Sequence, residues 1–106
     1  MASNVGMTAD DPVQVDAAHY TVEAENDRMR VVRVKYGPLE KSVMHGHPAS
    51  AIVALTGGRF KFTYPDGRSE EIAMTPGQVV TMDAFVHDPE NVTDQYFEGI
   101  LIELKA

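Results

Sequence analysis

The stretch Val43-Met44-His45-Gly46-His47-Pro48 holds two of the four histidines in this 106-residue chain, separated by a single glycine. On an extended strand, alternate side chains point to the same face, so His45 and His47 would project together. Neutral imidazole is a common metal ligand, and two imidazoles on one strand can hold a single ion. An isolated His-x-His pair is a weak motif, because two solvent-facing histidines in a loop before a proline give the same pattern.

The composition predicts one soluble globular domain. Hydrophobic residues make up 43% of the chain and charged residues 24%, and a chain of this length builds one core but not two. A net charge of −7 argues against nucleic acid and anionic membranes as partners, since both require a basic surface. Because cysteine is absent, a metal site must use nitrogen and oxygen ligands. No stretch is typical of a secretion signal or a membrane span, so we expect a cytoplasmic protein.

Short strands separated by Gly and Pro turns follow one another along most of the chain. Residues 29–36 and 59–64 alternate in polarity, and Pro65-Asp66-Gly67 is a strong turn signal after the second of them. Residues 51–55 are apolar on both faces, which favours a central strand or one covered by a partner subunit. The same run fits a buried helix segment, but Gly57-Gly58 would end such a helix too early for stability.

This pattern predicts an all-β domain over residues 13–106, preceded by a flexible segment. Residues 1–12 are small, polar and acidic, which is typical of a poorly ordered lead-in. Residues 13–16 are expected to form a short edge strand. Many short strands at a spacing of roughly 8–12 residues indicate a sandwich or a barrel, and no helix of three turns is predicted.

Two stretches of the chain resemble the two motifs of the cupin superfamily. The first runs from Gly37 through His45-Gly46-His47 to Gly57-Gly58, and the second runs from Pro76-Gly77 to His87-Asp88-Pro89-Glu90-Asn91. The His-x-His-Pro and His-x-Pro-Glu-Asn pieces are similar to those of very small bacterial single-domain cupins. The resemblance implies a jelly-roll barrel, also called a double-stranded β-helix.

The resemblance also implies a metal site with three histidine ligands. The second motif places His87 opposite His45 and His47 inside the barrel, where three neutral imidazoles can bind one divalent transition metal ion (Fe, Mn, Zn, Ni or Cu) and leave positions open for substrate. The glutamate ligand of the family falls at Ser50 or Ala51, neither of which replaces a carboxylate. The uncompensated charge of the ion would favour anionic or chelating oxygen ligands and lower the pKa of bound water.

Tyr36 and Asn91 are the further candidate site residues. Tyr36 lies on the inward face of its strand and could donate a hydrogen bond to a bound oxyanion, although such a tyrosine is more often a core residue with a satisfied hydroxyl. Asn91 is the pocket candidate of its segment, because alternation points Asp88 and Glu90 outward. The alternative is that His87 and Asn91 only satisfy a corner of the fold by hydrogen bonding.

Two functions follow as hypotheses. The first is a small metal-dependent enzyme acting on a small oxygen-rich molecule, enolisable or carboxylate-bearing, as a dioxygenase, isomerase or lyase. The alternative is a non-catalytic module that binds a metal or a small molecule, which the missing carboxylate and the lack of an evident general base favour. His19 and Tyr20 are expected over a barrel mouth or edge, or in surface or interface packing. A homodimer is expected, because residues 51–55 and the last strand have apolar residues on both faces.

Overall fold

A computed structural model describes residues 10–105 of the chain; residues 1–9 of the expected flexible segment lie outside this range. Within it, no helix is long and apolar enough to cross a membrane. The elements in chain order are α1 (Pro12–Val15), β1 (Tyr20–Glu25), β2 (Met29–Tyr36), β3 (His45–His47), β4 (Ser50–Ala54), β5 (Gly58–Thr63), β6 (Ser69–Met74), β7 (Val79–Met82), β8 (Phe85–Asn91) and β9 (Phe97–Leu104).

The strands form two antiparallel sheets, which confirms the predicted all-β class. The five-stranded sheet has the order β1-β2-β9-β4-β7, and the four-stranded sheet has the order β3-β8-β5-β6. Strands that follow one another in the chain, such as β3 and β4 or β6 and β7, belong to different sheets. The chain therefore crosses repeatedly between the sheets, as in the predicted jelly roll. Residues 51–55 lie mostly in β4, so the strand interpretation of that run is the right one.

The predicted closure into a barrel is wrong. No hydrogen-bonded ladder joins the two sheets within residues 10–105. Along one open side, α1 contacts both β1 and β3. The backbone N–H of Gly46 in β3 donates a hydrogen bond to the Asp10 carbonyl oxygen at 2.9 Å. The edge of β3 is thus satisfied by the segment before α1 rather than by a strand of the other sheet.

The predicted edge strand over residues 13–16 is also wrong, because Pro12–Val15 is a one-turn helix. The Asp11 carboxylate caps it by accepting a hydrogen bond from the Val13 N–H at 3.0 Å. Pro12 stands at the first helical position, where its missing N–H costs nothing. This local capping outweighs the alternation of Val13 and Val15, which would suit a strand.

The core lies between the sheets and follows the predicted alternation of β2. Val32, Val34 and Tyr36 are buried on its inner face, where they meet Phe60 from β5 and Phe97 from β9. Close approach at this point requires a glycine, because a Cβ added at position 58 would lie only 2.6 Å from the Phe97 ring. The second glycine of Gly57-Gly58 therefore lets β5 pack directly against the core aromatics.

Candidate metal centre

Three histidines from two paired strands meet between the sheets. β3 pairs with β8 so that His45 lies directly opposite His87, and His47 shares the inner face of β3 with His45. Their relative exposures are 0%, 3% and 4% for His45, His47 and His87. One ligand atom from each lies within 4.8 Å of the other two. The structure thus brings together the three histidines that the sequence singled out, and metal binding itself stays a prediction.

The nitrogen positions of His47 and His87 suit a shared metal ion. Nε2 of His47 and Nε2 of His87 are 3.1 Å apart. Two imidazoles bound to one ion at about 2.1 Å would place their nitrogens roughly 3.0 Å apart at a right angle and roughly 3.4 Å apart at a tetrahedral angle. Nε2 of His45 is buried and has no hydrogen-bond partner within the described part of the chain. A buried nitrogen without a partner is unfavourable unless something binds it.

Hydrogen bonds behind two of the rings hold their other nitrogen. Nδ1 of His45 lies 2.8 Å from the Val43 carbonyl oxygen, and Nδ1 of His47 lies 3.1 Å from the Glu103 carboxylate. A carbonyl and a carboxylate both accept, so each Nδ1 carries the proton and donates it. Each Nε2 is then left unprotonated and able to bind a metal ion.

The chain was compared with protein families, with curated proteins and with solved structures. No family model matches it, and no curated protein matches it. A crystal structure of a cupin domain from Bordetella pertussis Tohama I superposes with a TM-score of 0.76 and 28% sequence identity, over 82% of this chain and 92% of that chain. The chain has the fold of a small cupin.

Two further solved structures share this fold at lower identity. A cupin superfamily protein from Desulfitobacterium hafniense DCB-2 has a TM-score of 0.62 and 17% identity, over 82% of this chain and 76% of that chain. The polyketide cyclase RemF from Streptomyces resistomycificus has a TM-score of 0.59 and 20% identity, over 80% of this chain and 63% of that chain.

His87 differs from the other two histidines of the cluster, because no hydrogen bond within residues 10–105 holds its Nδ1. Its Nδ1 is buried without a hydrogen-bond partner among the described residues, and its ring centroid lies 4.3 Å from that of Phe62 and 4.4 Å from that of Phe85. Burial lowers the pKa of His87 to about 2 and that of His45 to about 4, with a further contribution in each case from repulsion by His47. His45 and His87 are therefore neutral near pH 7, the form that binds metal.

A buried carboxylate that was not predicted from the sequence lies beside the histidines. Glu103 on β9 is 2% exposed, and the Arg30 guanidinium donates to it at 2.9 and 2.7 Å. Arg30 also donates to Asp11 at 2.9 Å, which lowers the pKa of that carboxyl. Glu103 pairs directly with Ser50 across the β4–β9 ladder. Alternation along β9 could have predicted this burial, because Glu103 lies two residues after the buried Leu101 and so faces the same side of the strand.

A chain of polar contacts runs from the surface to the back of His45. The exposed carboxylate of Glu40 lies 2.9 Å from Nε2 of His19, and Nδ1 of the same ring lies 2.8 Å from Asp16. Asp16 in turn accepts a hydrogen bond from the Ser42 hydroxyl, which lies 3.2 Å from Nδ1 of His45. His19 is thus part of the support for the histidine cluster, a role that the sequence left open.

Tyr36 and Tyr20 form a buried pair next to the histidines. Their hydroxyl oxygens are 2.6 Å apart, and burial raises the pKa of both phenols above the ordinary value. The Tyr36 ring stacks on His19 with centroids 4.2 Å apart. These contacts are those of a core tyrosine with a satisfied hydroxyl, which was the alternative to an oxyanion role.

Asn91 fixes a loop. Its amide nitrogen donates to the carbonyl oxygens of Gly37 at 3.0 Å and of Gln95 at 2.8 Å. Its amide oxygen accepts from the backbone N–H of Thr93 at 3.0 Å and from its hydroxyl at 2.9 Å. Both the nitrogen and the oxygen of the Asn91 amide therefore form hydrogen bonds within this loop. We assign Asn91 no part in the chemistry proposed below.

An apolar cavity of about 60 Å³ adjoins the cluster. His47 and His87 lie in its wall, and the described lining includes no carboxylate and no lysine. For scale, an apolar cavity of about 150 Å³ holds benzene. The remaining lining is largely aliphatic and aromatic: Val34, Ile52, Phe60, Phe62, Ile72, Met74, Val80, Met82, Phe85, Pro89, Phe97 and Leu101, with Tyr20 and Tyr36.

Proposed function

We propose that this cupin binds one divalent transition metal ion through Nε2 of His45, His47 and His87 and acts on a small molecule with an enolisable or carboxylate oxygen group. The observation that carries the proposal is the 3.1 Å separation of the two Nε2 atoms of His47 and His87, together with the buried, unpartnered Nε2 of His45. When bound, such an ion supplies Lewis acidity or, if it is a redox metal, one-electron chemistry.

The charges around the cluster favour an anionic ligand. Three neutral imidazoles leave the ion with its full charge of two. Behind them, Glu103 and Asp11 share the single guanidinium of Arg30, so this group carries one net negative charge. The charge expected to be uncompensated is thus offset in part, and an anionic ligand such as an enolate or a carboxylate would offset more of it.

The cavity walls determine which end of the ligand meets the histidines. The wall is almost wholly apolar apart from the two imidazoles and the paired tyrosines. A ligand with its oxygen atoms at one end and an apolar body at the other leaves no polar group unpaired against this wall. The volume of about 60 Å³ encloses only a few heavy atoms, so the rest of a larger ligand would extend towards the mouth of the cavity.

Dioxygenase, isomerase and lyase reactions all suit such a site. A non-catalytic module that binds a metal or a small molecule is the second candidate, and a specific observation favours it. The described cavity lining offers no carboxylate or lysine as a general base. The phenols of Tyr20 and Tyr36 are protonated and hydrogen-bonded to each other.

Elemental analysis of protein purified without a polyhistidine tag tests the metal site. After loading with Fe²⁺, Mn²⁺, Zn²⁺, Ni²⁺ or Cu²⁺ and removal of excess, we expect about one ion per chain and loss of most of it in His47→Ala. Val32→Ala is the control, because it truncates a buried side chain without removing a proposed ligand. Equal metal content in the wild type and His47→Ala would refute the site.

Turnover separates the two candidate functions. Loaded protein is incubated with a simple 1,3-diketone under air and under nitrogen, and substrate loss and oxygen uptake are followed. Oxygen consumption supports a dioxygenase, and anaerobic conversion supports an isomerase or lyase. Perturbation of the metal spectrum by the diketone without conversion supports the binding module.

We also propose that the protein is a cytoplasmic homodimer. The outer face of the five-stranded sheet presents Ala51 and Val53 beside Ile100 and Ile102 of β9, an apolar surface of the kind that a second copy would cover. The absence of cysteine from the sequence suits a reducing compartment.

A further inference from the structure

We infer that Glu103 is a positioning residue of the metal centre: through the hydrogen bond from Nδ1 of His47, it fixes the ring so that Nε2 faces the ion. This inference rests on the proposed function only in so far as a metal binds. The orientation of the ring concerns the metal-free protein as well.

The geometry makes Glu103 the hydrogen-bond acceptor that orients His47. Its Oε2 lies 3.1 Å from Nδ1 of His47, while its Oε1 accepts both hydrogen bonds from Arg30. The guanidinium therefore fixes the carboxylate from behind, and the carboxylate fixes the imidazole in front. Carboxylate–histidine pairs of this kind set which ring nitrogen is protonated and strengthen the other as a ligand.

The position of Glu103 in the sheet explains why no carboxylate is needed on β4. Glu103 and Ser50 are direct partners in the β4–β9 ladder, so their side chains lie side by side on the inner face. The Ser50 hydroxyl is turned away to donate to the Pro48 carbonyl oxygen at 2.6 Å. The negative charge is thus supplied from the neighbouring strand and acts through an imidazole.

The three histidines should consequently differ in how strongly each binds the metal ion. His47 has an ionised partner, His45 has a neutral carbonyl partner, and His87 has no partner on Nδ1 among the described residues. Hydrogen bonds to charged groups are stronger than neutral ones. Loss of the Glu103 carboxylate should therefore weaken the best-oriented ligand of the set.

Two substitutions separate the hydrogen bond from the charge. Glu103→Gln keeps an oxygen that accepts from Nδ1 but removes the charge, and Glu103→Leu removes both. Removing a group that supports a ligand typically lowers metal affinity by roughly 10- to 100-fold, so we expect a loss near 10-fold in Glu103→Gln and near 100-fold in Glu103→Leu. Zn²⁺ and Co²⁺ affinities are measured by chelator competition, and the Co²⁺ absorption spectrum reports the ligand geometry.

A second readout does not need a metal. In ¹⁵N-labelled, metal-free protein at pH 7.5, long-range ¹H–¹⁵N spectra show which nitrogen of His47 carries the proton. We expect Nδ1–H in the wild type and in Glu103→Gln, and loss of that preference in Glu103→Leu. Val32→Ala is the control for general destabilisation, since Val32 is fully buried but does not line the cavity.

The outcomes separate this inference from the metal proposal. A wild type that binds no ion but shows the Nδ1–H form, lost in Glu103→Leu, refutes the proposed function and supports the positioning role. Unchanged affinity and an unchanged protonated nitrogen in both Glu103 variants overturn the positioning role, whatever the wild type binds. If Glu103→Leu fails to fold, Glu103→Gln with full wild-type affinity and an unchanged Co²⁺ spectrum overturns the charge contribution.

Discussion

Mild acid should destabilise the metal-free protein through two buried histidines. In the folded protein the pKa of His45 is lowered to about 4 and that of His87 to about 2 by burial, whereas a histidine in an unfolded chain has a pKa of about 6.5. The unfolded state therefore binds protons first, so the stability present above pH 6.5 is lost as the pH falls. Between pH 7.5 and 5.5 each histidine should lower the free energy of unfolding by roughly 1.4 kcal/mol, and the pair by about 3 kcal/mol.

Urea unfolding followed by circular dichroism, with a chelator present, measures this loss at the two pH values. The interval lies above the range in which carboxylates of the unfolded chain titrate. His87→Leu should remove about half of the pH-dependent loss, because an apolar side chain replaces the titrating ring between Phe62 and Phe85. Val32→Ala should lower stability at both pH values and keep the full loss. A loss of the same size in His87→Leu and the wild type would show that the His87 ring is not desolvated as described.

Three further predictions follow from packing and hydrogen bonds. Gly58→Ala forces a methyl group against the Phe97 ring and should cost roughly 1–3 kcal/mol of stability in urea unfolding. Asn91→Ala should also lower stability, by about 1–3 kcal/mol, while metal content by elemental analysis stays at the wild-type value; loss of metal would return Asn91 to the site. Sedimentation should show a dimer for the wild type and a monomer for Ile102→Lys, and a monomeric wild type at high micromolar concentration would refute the homodimer.

The strands and the pairing of His45 with His47 on one face could be predicted, because both follow from alternation along a single strand. Val32 and Val34 needed only a period of two to be assigned inward, and the same period joins His45 to His47. The third histidine came from the resemblance to the cupin motifs, since no local pattern shows that His87 pairs with His45. That pairing is set by the ladder between β3 and β8.

The features that were predicted wrongly or missed depend on contacts between distant segments. Whether two sheet edges join into a barrel is decided by main-chain hydrogen bonds, which the side-chain pattern does not specify. The helix at Pro12–Val15 depends on the capping carboxylate of Asp11. The alternation of Val13 and Val15 favoured a strand instead, so the helix was not predicted. Glu103 was overlooked because the missing carboxylate was sought along β4 at Ser50, and only the ladder between β4 and β9 places the two residues together.

The hydrogen bond from Gly46 to the Asp10 carbonyl has a consequence for self-association. β3 is an outer strand of its sheet, and an uncovered outer strand is a template on which another chain can add. The backbone of Asp10 occupies that edge at Gly46, the residue between His45 and His47, so it protects this edge against strand addition. Displacing the segment before α1 should therefore promote aggregation and loosen the histidine strand at the same time.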